Sequence, residues 1–204
     1  MTSKQEPAPA TETTDTQPPP QAALTVPAVG SKAPSSAQLP IPNPNAKPTI
    51  VTFLRHCGCP FAEKSFRHFR YLANRHPEAN FVAVSHCTQE ATDEWVVHVG
   101  GAWDVQVIVD TERELYALWG VGRSSTWHLL NPWTVYKGVR MVAQEGQLVG
   151  GSSGDRWQMA GSFAVDGEGT VRWVRLAKTA DDLPEFKEGL VAVNVKVKKG
   201  EAHD

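Results

Sequence analysis

Cysteine is scarce in this chain, with three in 204 residues. Three thiols cannot build a paired disulfide framework, and two of them, Cys57 and Cys59, stand one residue apart. A secretory leader would need a continuous apolar core near the start, which is missing; with so few cysteines this points to a reducing, cytoplasmic setting in which thiols are kept for chemistry. No run approaches the ~18–20 consecutive apolar residues of a membrane-spanning helix. The formal net charge is only −2, so no basic field argues for nucleic acid or an anionic membrane as a partner. Arginine is absent before Thr49, and Lys4, Lys32 and Lys47 are offset there by Glu6, Glu12 and Asp15. An Arg-rich, acid-poor mitochondrial transit peptide is thereby excluded.

Proline is present in quantity but unevenly, with 11 of the 15 lying before Thr49. Segments such as Pro18-Pro19-Pro20 and Pro40-Ile41-Pro42-Asn43-Pro44 lack backbone donors and offer little apolar surface to offset ordering entropy. Residues 1–48 therefore read as a disordered Pro-rich tail. Residues 49–190 read as one folded domain, and 191–204 as a C-terminal edge strand and tail.

Past Lys47-Pro48 the pattern changes abruptly. Ile50 to Leu54 is a short apolar run of β-formers, as expected for a buried strand of a parallel sheet. Cys57-Gly58-Cys59-Pro60 follows, then a helix from Phe61 to His76 with Ala62, Phe66, Phe69 and Ala73 on one face. Pro60 suits its first turn and Pro77 closes it. Phe81 to Ser85 is a second strand, Thr88 to Val99 a second helix stopped by Gly100-Gly101, and Val105 to Val109 a third strand. Thr111 with Glu114 spells a capping box for a short helix through Trp119; Asp110 suits a cap better than a base. Val121 to Gln158, with Trp127, Trp133 and Trp157, reads as an irregular insertion holding one strand near 135–142. Ser162 to Val165, the turn Asp166 to Gly169 and Val171 to Leu176 spell a β-hairpin. Asp182 is expected to cap a helix from Leu183 to Lys187. The strict alternation of Val191, Val193, Val195 and Val197 predicts an edge strand. The order βα-βα-βα, insertion, ββα makes an α/β domain: a mixed sheet flanked by helices on both faces.

In such a sheet, reactive groups gather at the carboxyl ends of the parallel strands. Cys57 and Cys59 fall just past the first strand and Cys87 just past the second, so all three thiols are expected at one edge. Cys59 also stands directly before Pro60, at the amino end of a helix. A free thiol has a pKa near ~8.5, and the thiolate is the nucleophile. Lowering that pKa by about two units needs roughly 2.7 kcal/mol, whereas a helix terminus supplies about 0.3–1, or up to ~2 when partly buried. Arg55, His56 and Arg156 are the candidates for the remaining electrostatic support. His56, Cys57, Cys59, His86 and Cys87 also offer soft donors for zinc, but Cys-x-Cys is tighter than the usual chelating spacing.

The segments LRHCGCPFAE, VAVSHCTQE, VIVDTERELYALWGV and GSFAVDGEGTVRWV resemble the alkyl hydroperoxide reductase/thiol-specific antioxidant superfamily. Within it, the chain looks most similar to the peroxiredoxin-like 2 group and to fungal peroxiredoxin-like proteins, over about Thr49 to Leu190. The resemblance implies a thioredoxin-like, peroxiredoxin-type fold and a thiol-dependent oxidoreductase. On it, Cys59 matches the peroxide-attacking cysteine, with Cys87, Cys57 or an external thiol resolving the product. His56 stands where the family carries a threonine, Ala62 where a dithiol motif carries its second cysteine, and Ala160 where the family arginine precedes Gly161. A peroxide or small disulfide is the implied substrate, glutathione or thioredoxin the implied reductant, and a homodimer an allowed assembly. No cofactor or metal is implied. Monothiol disulfide exchange, a non-catalytic thioredoxin-fold scaffold and turnover of a prostaglandin-like endoperoxide are the competing readings.

Overall fold

The structure is a computed structural model that describes residues 25–123 and 154–197. Five strands form its sheet: β1 (Thr49–Phe53), β2 (Asn80–Ser85), β3 (Val105–Val109), β4 (Gly161–Val165) and β5 (Val171–Leu176). Their spatial order is β3-β2-β1-β4-β5. β1 pairs in parallel with β2, and β2 with β3, while β4 lies antiparallel to both β1 and β5. The mixed sheet and its hairpin are thus as the apolar runs predict.

Period-two alternation divides each central strand between two cores. Ile50, Phe81, Ala83 and Ala164 face one cluster, which α1 (Pro60–Arg75) covers with Phe66, Phe69 and Leu72. Trp95 of α2 (Gln89–His98) and Phe186 and Leu190 of α4 (Phe186–Ala192) complete that layer. Val51, Phe53, Val82, Val84 and Phe163 face the other cluster, where Leu115 and Tyr116 of α3 (Glu114–Leu118) and the adjoining Trp119 pack. Phe53 meets Tyr116 edge-on at 5.0 Å between ring centroids. Helices therefore cover both faces of one sheet.

Four expectations need correction. The segment before Thr49 is ordered from residue 25 onward. Leu39 and Ile41 are buried in the second cluster, and Lys32 forms an antiparallel bridge with Thr170 of the hairpin. Proline-rich chain can pack without regular hydrogen bonds when its few apolar side chains find a groove; residues 1–24 lie outside the described residues. The start of α3 uses no Thr111–Glu114 box. Arg113 sits left-handed at the N-cap, φ 60°, and the Asp110 carboxylate accepts from the N–H groups of Glu114, Leu115 and Tyr116 at 3.0, 2.9 and 3.2 Å. One longer-reaching anion has displaced the local box.

The last helix begins at Phe186, later than an Asp182 cap requires. Asp182 instead accepts from Lys178 N–H and Arg175. The valine alternation near the end is not a strand either: Val191 and Ala192 finish α4, and Asn194 is left-handed with φ 63°. Val193 and Val195 are buried in the first cluster while Val191 is exposed. The chain end packs on the first cluster with two of the valines that a strand would have turned inward. The strand expected near 135–142, with Trp127 and Trp133, lies outside the described residues. Among the described residues no helix is long and apolar enough to cross a membrane.

If the ordered arm stabilises the domain, Leu39→Ala should lower the unfolding free energy by about 2–5 kcal/mol, as expected for a fully buried leucine. Urea denaturation checks this; a change below ~0.5 kcal/mol would mean that residues 25–48 contribute nothing to the fold.

Candidate functional site

The parallel pairing of β1 and β2 brings the ends of both strands to one edge of the sheet. The hydroxyl of the buried Tyr116 holds that edge together. Its single proton is shared between Leu54 O at 2.7 Å, just past β1, and Val84 O at 2.8 Å in β2. Beyond these anchors the chain leaves β1 through Arg55, His56 and Cys57, and leaves β2 through His86 and Cys87. All five side chains are buried. So is Cys59, with 4% of its surface exposed, and all three cysteines are free thiols.

Cys59 is the N-cap residue of α1, in extended conformation, with Pro60 in the first turn. Its N–H donates to His56 O at 3.2 Å, closing a tight turn in which Gly58 takes φ 84°. Only glycine adopts that φ without cost, and the turn is what swings the Cys59 sulfur back toward β1. The Arg55 guanidinium donates from Nη1 to Cys59 Sγ at 3.5 Å. Arg55 is itself held: Nη2 donates to Arg156 O at 2.9 Å and Nε to Gln158 O at 3.5 Å. Gln158 is fixed in turn by donating from Nε2 to Val121 O and Gly122 O at 3.1 and 3.0 Å.

Of the three supporting groups expected, the structure brings Arg55 to the sulfur with its side chain. Arg156 joins through its main-chain oxygen. His56 is buried, with Nδ1 3.0 Å from Cys57 O; burial first, then the cations Arg55 and Arg156, push its pKa below the ordinary value. It is a neutral ring at neutral pH and adds no positive charge.

Cys57 and Cys87 form a second centre. Cys57 N–H donates to Cys87 Sγ at 3.2 Å. Cys87 N–H donates to Ser85 Oγ, which pairs with Thr92 Oγ1 at 2.9 Å and lies 3.9 Å from Cys57 Sγ. The hydrogen bond to Cys87, followed by burial, pushes the Cys57 thiol up.

A short turn closes over this centre. Gly154 has φ 89°, and a Cβ there would lie 2.8 Å from both Cys87 Sγ and His86 Nε2. Asp155 N–H donates to His86 Nε2 at 3.0 Å, while the Asp155 carboxylate is paired with Arg123 at 2.6 Å and Arg113 at 3.4 Å. Burial, reinforced by Arg113, lowers the His86 pKa to about 4. Sequence pattern does not single out Gly154, Asp155, Gln158, Ser85, Thr92 or Tyr116. Ser85 ends a predicted strand, Thr92 and Tyr116 sit inside predicted helices, and Gly154, Asp155 and Gln158 lie in the irregular segment; at none of these positions does local pattern show which group elsewhere in the chain is met. The five candidate zinc donors do not gather as ligands: among the described residues no group of three or more His, Cys, Asp and Glu could hold a metal ion.

A three-layer α/β domain with a proline-led helix start bearing a buried thiol at the carboxyl edge of its parallel strands is a thioredoxin-like protein. The chain belongs to the AhpC/TSA antioxidant enzyme family, whose model matches residues 69–179. That span contains Cys87 but begins after Cys59. The fold is similar to that of a peroxiredoxin-like protein from Aquifex aeolicus: TM-score 0.59, 15% identity, 84% of this chain and 89% of that one covered. It is also similar to a cysteine-to-serine mutant of the peroxiredoxin 6 of Arenicola marina: TM-score 0.58, 14% identity, covering 82% and 72%. A thiol peroxidase from Chromobacterium violaceum matches at TM-score 0.51 and 12% identity, covering 82% and 86%. No curated protein matches the chain significantly.

The His86 environment sets a pH dependence. Unfolded His86 takes up a proton near pH 6.5, whereas the folded ring resists until about pH 4. Between those values the unfolded chain binds more protons, so stability is full above about 6.5 and falls as pH drops, by on the order of 3 kcal/mol. His56 acts in the same direction. His86→Gln, which keeps an acceptor for Asp155 N–H, should flatten the curve; urea midpoints at pH 7.5 and 4.5 in both proteins measure it.

Proposed function

We propose that the protein is a thiol peroxidase in which Cys59 is the residue that meets the peroxide. The observation that carries this reading is the Arg55 guanidinium held 3.5 Å from Cys59 Sγ at the start of α1. The thiolate is the form that reacts with peroxide, and a fixed cation and a helix start are the groups placed beside this sulfur. The thiolate attacks one peroxide oxygen and the O–O bond breaks. Sulfur keeps the hydroxyl as sulfenic acid, and the other oxygen leaves as alkoxide or hydroxide, taking up a proton. Arg55 also faces the charge that develops on the departing oxygen. Reduction back to the thiol consumes two thiol equivalents, finally drawn from glutathione or a thioredoxin-type reductant.

Access favours a small peroxide. Cys59 exposes 4% of its surface, so a molecule the size of hydrogen peroxide reaches its sulfur more readily than a lipid endoperoxide or a protein disulfide, and these competing substrates rank lower. A pocket between Phe61, Ala62, Leu183 and Pro184 reaches Arg55 without Cys59 in its lining. The family membership supports the same class of chemistry.

Stopped-flow tryptophan fluorescence with hydrogen peroxide, an organic hydroperoxide and a small disulfide tests the proposal. Wild type should respond fastest to hydrogen peroxide and Cys59→Ser not at all. Arg55→Gln should keep the fold and slow the peroxide phase about 100-fold, the usual loss when one fixed donor to a developing charge is removed. An undiminished peroxide response in Cys59→Ser would refute the assignment.

A further inference from the structure

Cys59 is flanked by two more thiol-bearing residues that are hydrogen-bonded to each other. Cys57 stands two residues before it, joined through the left-handed Gly58, and Cys87 receives the Cys57 N–H at 3.2 Å. Cys57 is thus the middle sulfur, with Cys59 on one side along the chain and Cys87 on the other across the sheet edge. Resting on the peroxidase reading, we propose that oxidation does not end on Cys59: Cys57 relays it to Cys87, and the protein comes to rest as a Cys57–Cys87 disulfide with Cys59 again a thiol.

The chemistry closes. Cys57 Sγ bonds to the sulfur of the Cys59 sulfenic acid and the S–O bond breaks. The Cys57 proton leaves with the hydroxide as water. Cys87 gives up its own proton, which balances the one taken up by the oxygen that left in the first step, and as thiolate it attacks Cys57 Sγ. The Cys57–Cys59 bond breaks and its electron pair departs on Cys59, restoring the thiolate. Two electrons and two protons have left Cys57 and Cys87, and one peroxide has become alcohol and water.

Two features drive the exchange forward. A disulfide across Cys-Gly-Cys bends the backbone between its own sulfurs, and strained disulfides are the more oxidising ones. Cys87 is also suited to attack: its sulfur receives the Cys57 N–H, a donor aimed at the atom that carries the negative charge, and Ser85 holds its backbone through Cys87 N–H. The disulfide formed would join the ends of two parallel, hydrogen-bonded strands, which are already neighbours.

The test uses the full chain and one equivalent of hydrogen peroxide, followed by acid quench, alkylation and non-reducing peptide mass spectrometry. The expected result is loss of two of the three free thiols, a Cys57–Cys87 crosslink and an alkylated Cys59. Cys87→Ser should halt at the Cys57–Cys59 disulfide, and Cys57→Ser at a Cys59 sulfenic acid trapped by dimedone. A wild-type Cys59–Cys87 disulfide, or a lasting Cys59 sulfenic acid with Cys57 and Cys87 both free, overturns the relay while leaving the peroxidase reading intact. Failure of peroxide to oxidise Cys59 at all refutes the peroxidase reading and the relay with it. Diamide treatment of Cys59→Ser tests the pair separately: a Cys57–Cys87 crosslink supports the pairing, and two free thiols refute it.

Discussion

The Arg55–Cys59 contact is the interaction around which this molecule is organised. Neither partner could hold it alone. Arg55 leaves β1 within a run of buried residues that continues through His56 and Cys57, and its charge is tolerable there only because carbonyl oxygens and a sulfur take its donors. An uncompensated buried guanidinium would be costly. The carbonyls come from residues 156 and 158, about a hundred residues further along, so the turn before β4 must be in place before the thiol is electrostatically complete.

That dependence explains the shape of the rest. Antiparallel β4 lies against β1, which puts the preceding turn beside the end of β1. Gln158 and Asp155 tie that turn to Val121, Gly122 and Arg123 beyond α3. Tyr116, on α3, ties the ends of β1 and β2 together from below. The same turn presents Gly154 to Cys87 and the Asp155 N–H to His86. One short stretch therefore serves both sulfur centres, orienting the cation at Cys59 and covering Cys87. The resemblance places the family arginine immediately before Gly161, where this chain has Ala160. The guanidinium enters instead from β1, and the turn before β4 contributes oxygens rather than charge.

Much of this was legible in local pattern. Apolar runs and glycine punctuation located all five strands, and the amphipathic period with Pro60 and Pro77 bounded α1 to within a residue. Strand-end logic alone places Cys57, Cys59 and Cys87 on one edge of the sheet. Pattern failed where two structures compete for the same residues. Valines spaced by two can line a strand, yet Val193 and Val195 are buried where the chain leaves α4. Proline-rich chain can be solvated, yet Leu39 and Ile41 found a groove over the hairpin. In both cases the deciding quantity was apolar surface available on a distant element, which no local window contains.

What the amino-acid order determines by itself is the set of elements, the helix start at Pro60 and the presence of three thiols and an arginine near one strand end. Periodicity, proline and glycine act over a few residues, so their consequences are written locally. Which side chain reaches which sulfur was decided only in three dimensions. Arg55 faces Cys59, His56 is neutral because it is buried, and Cys57 N–H meets Cys87 Sγ because parallel pairing sets β2 beside β1. Charge state and hydrogen-bond partner depend on desolvation and on neighbours far away in the chain, and both come into being only when the sheet closes.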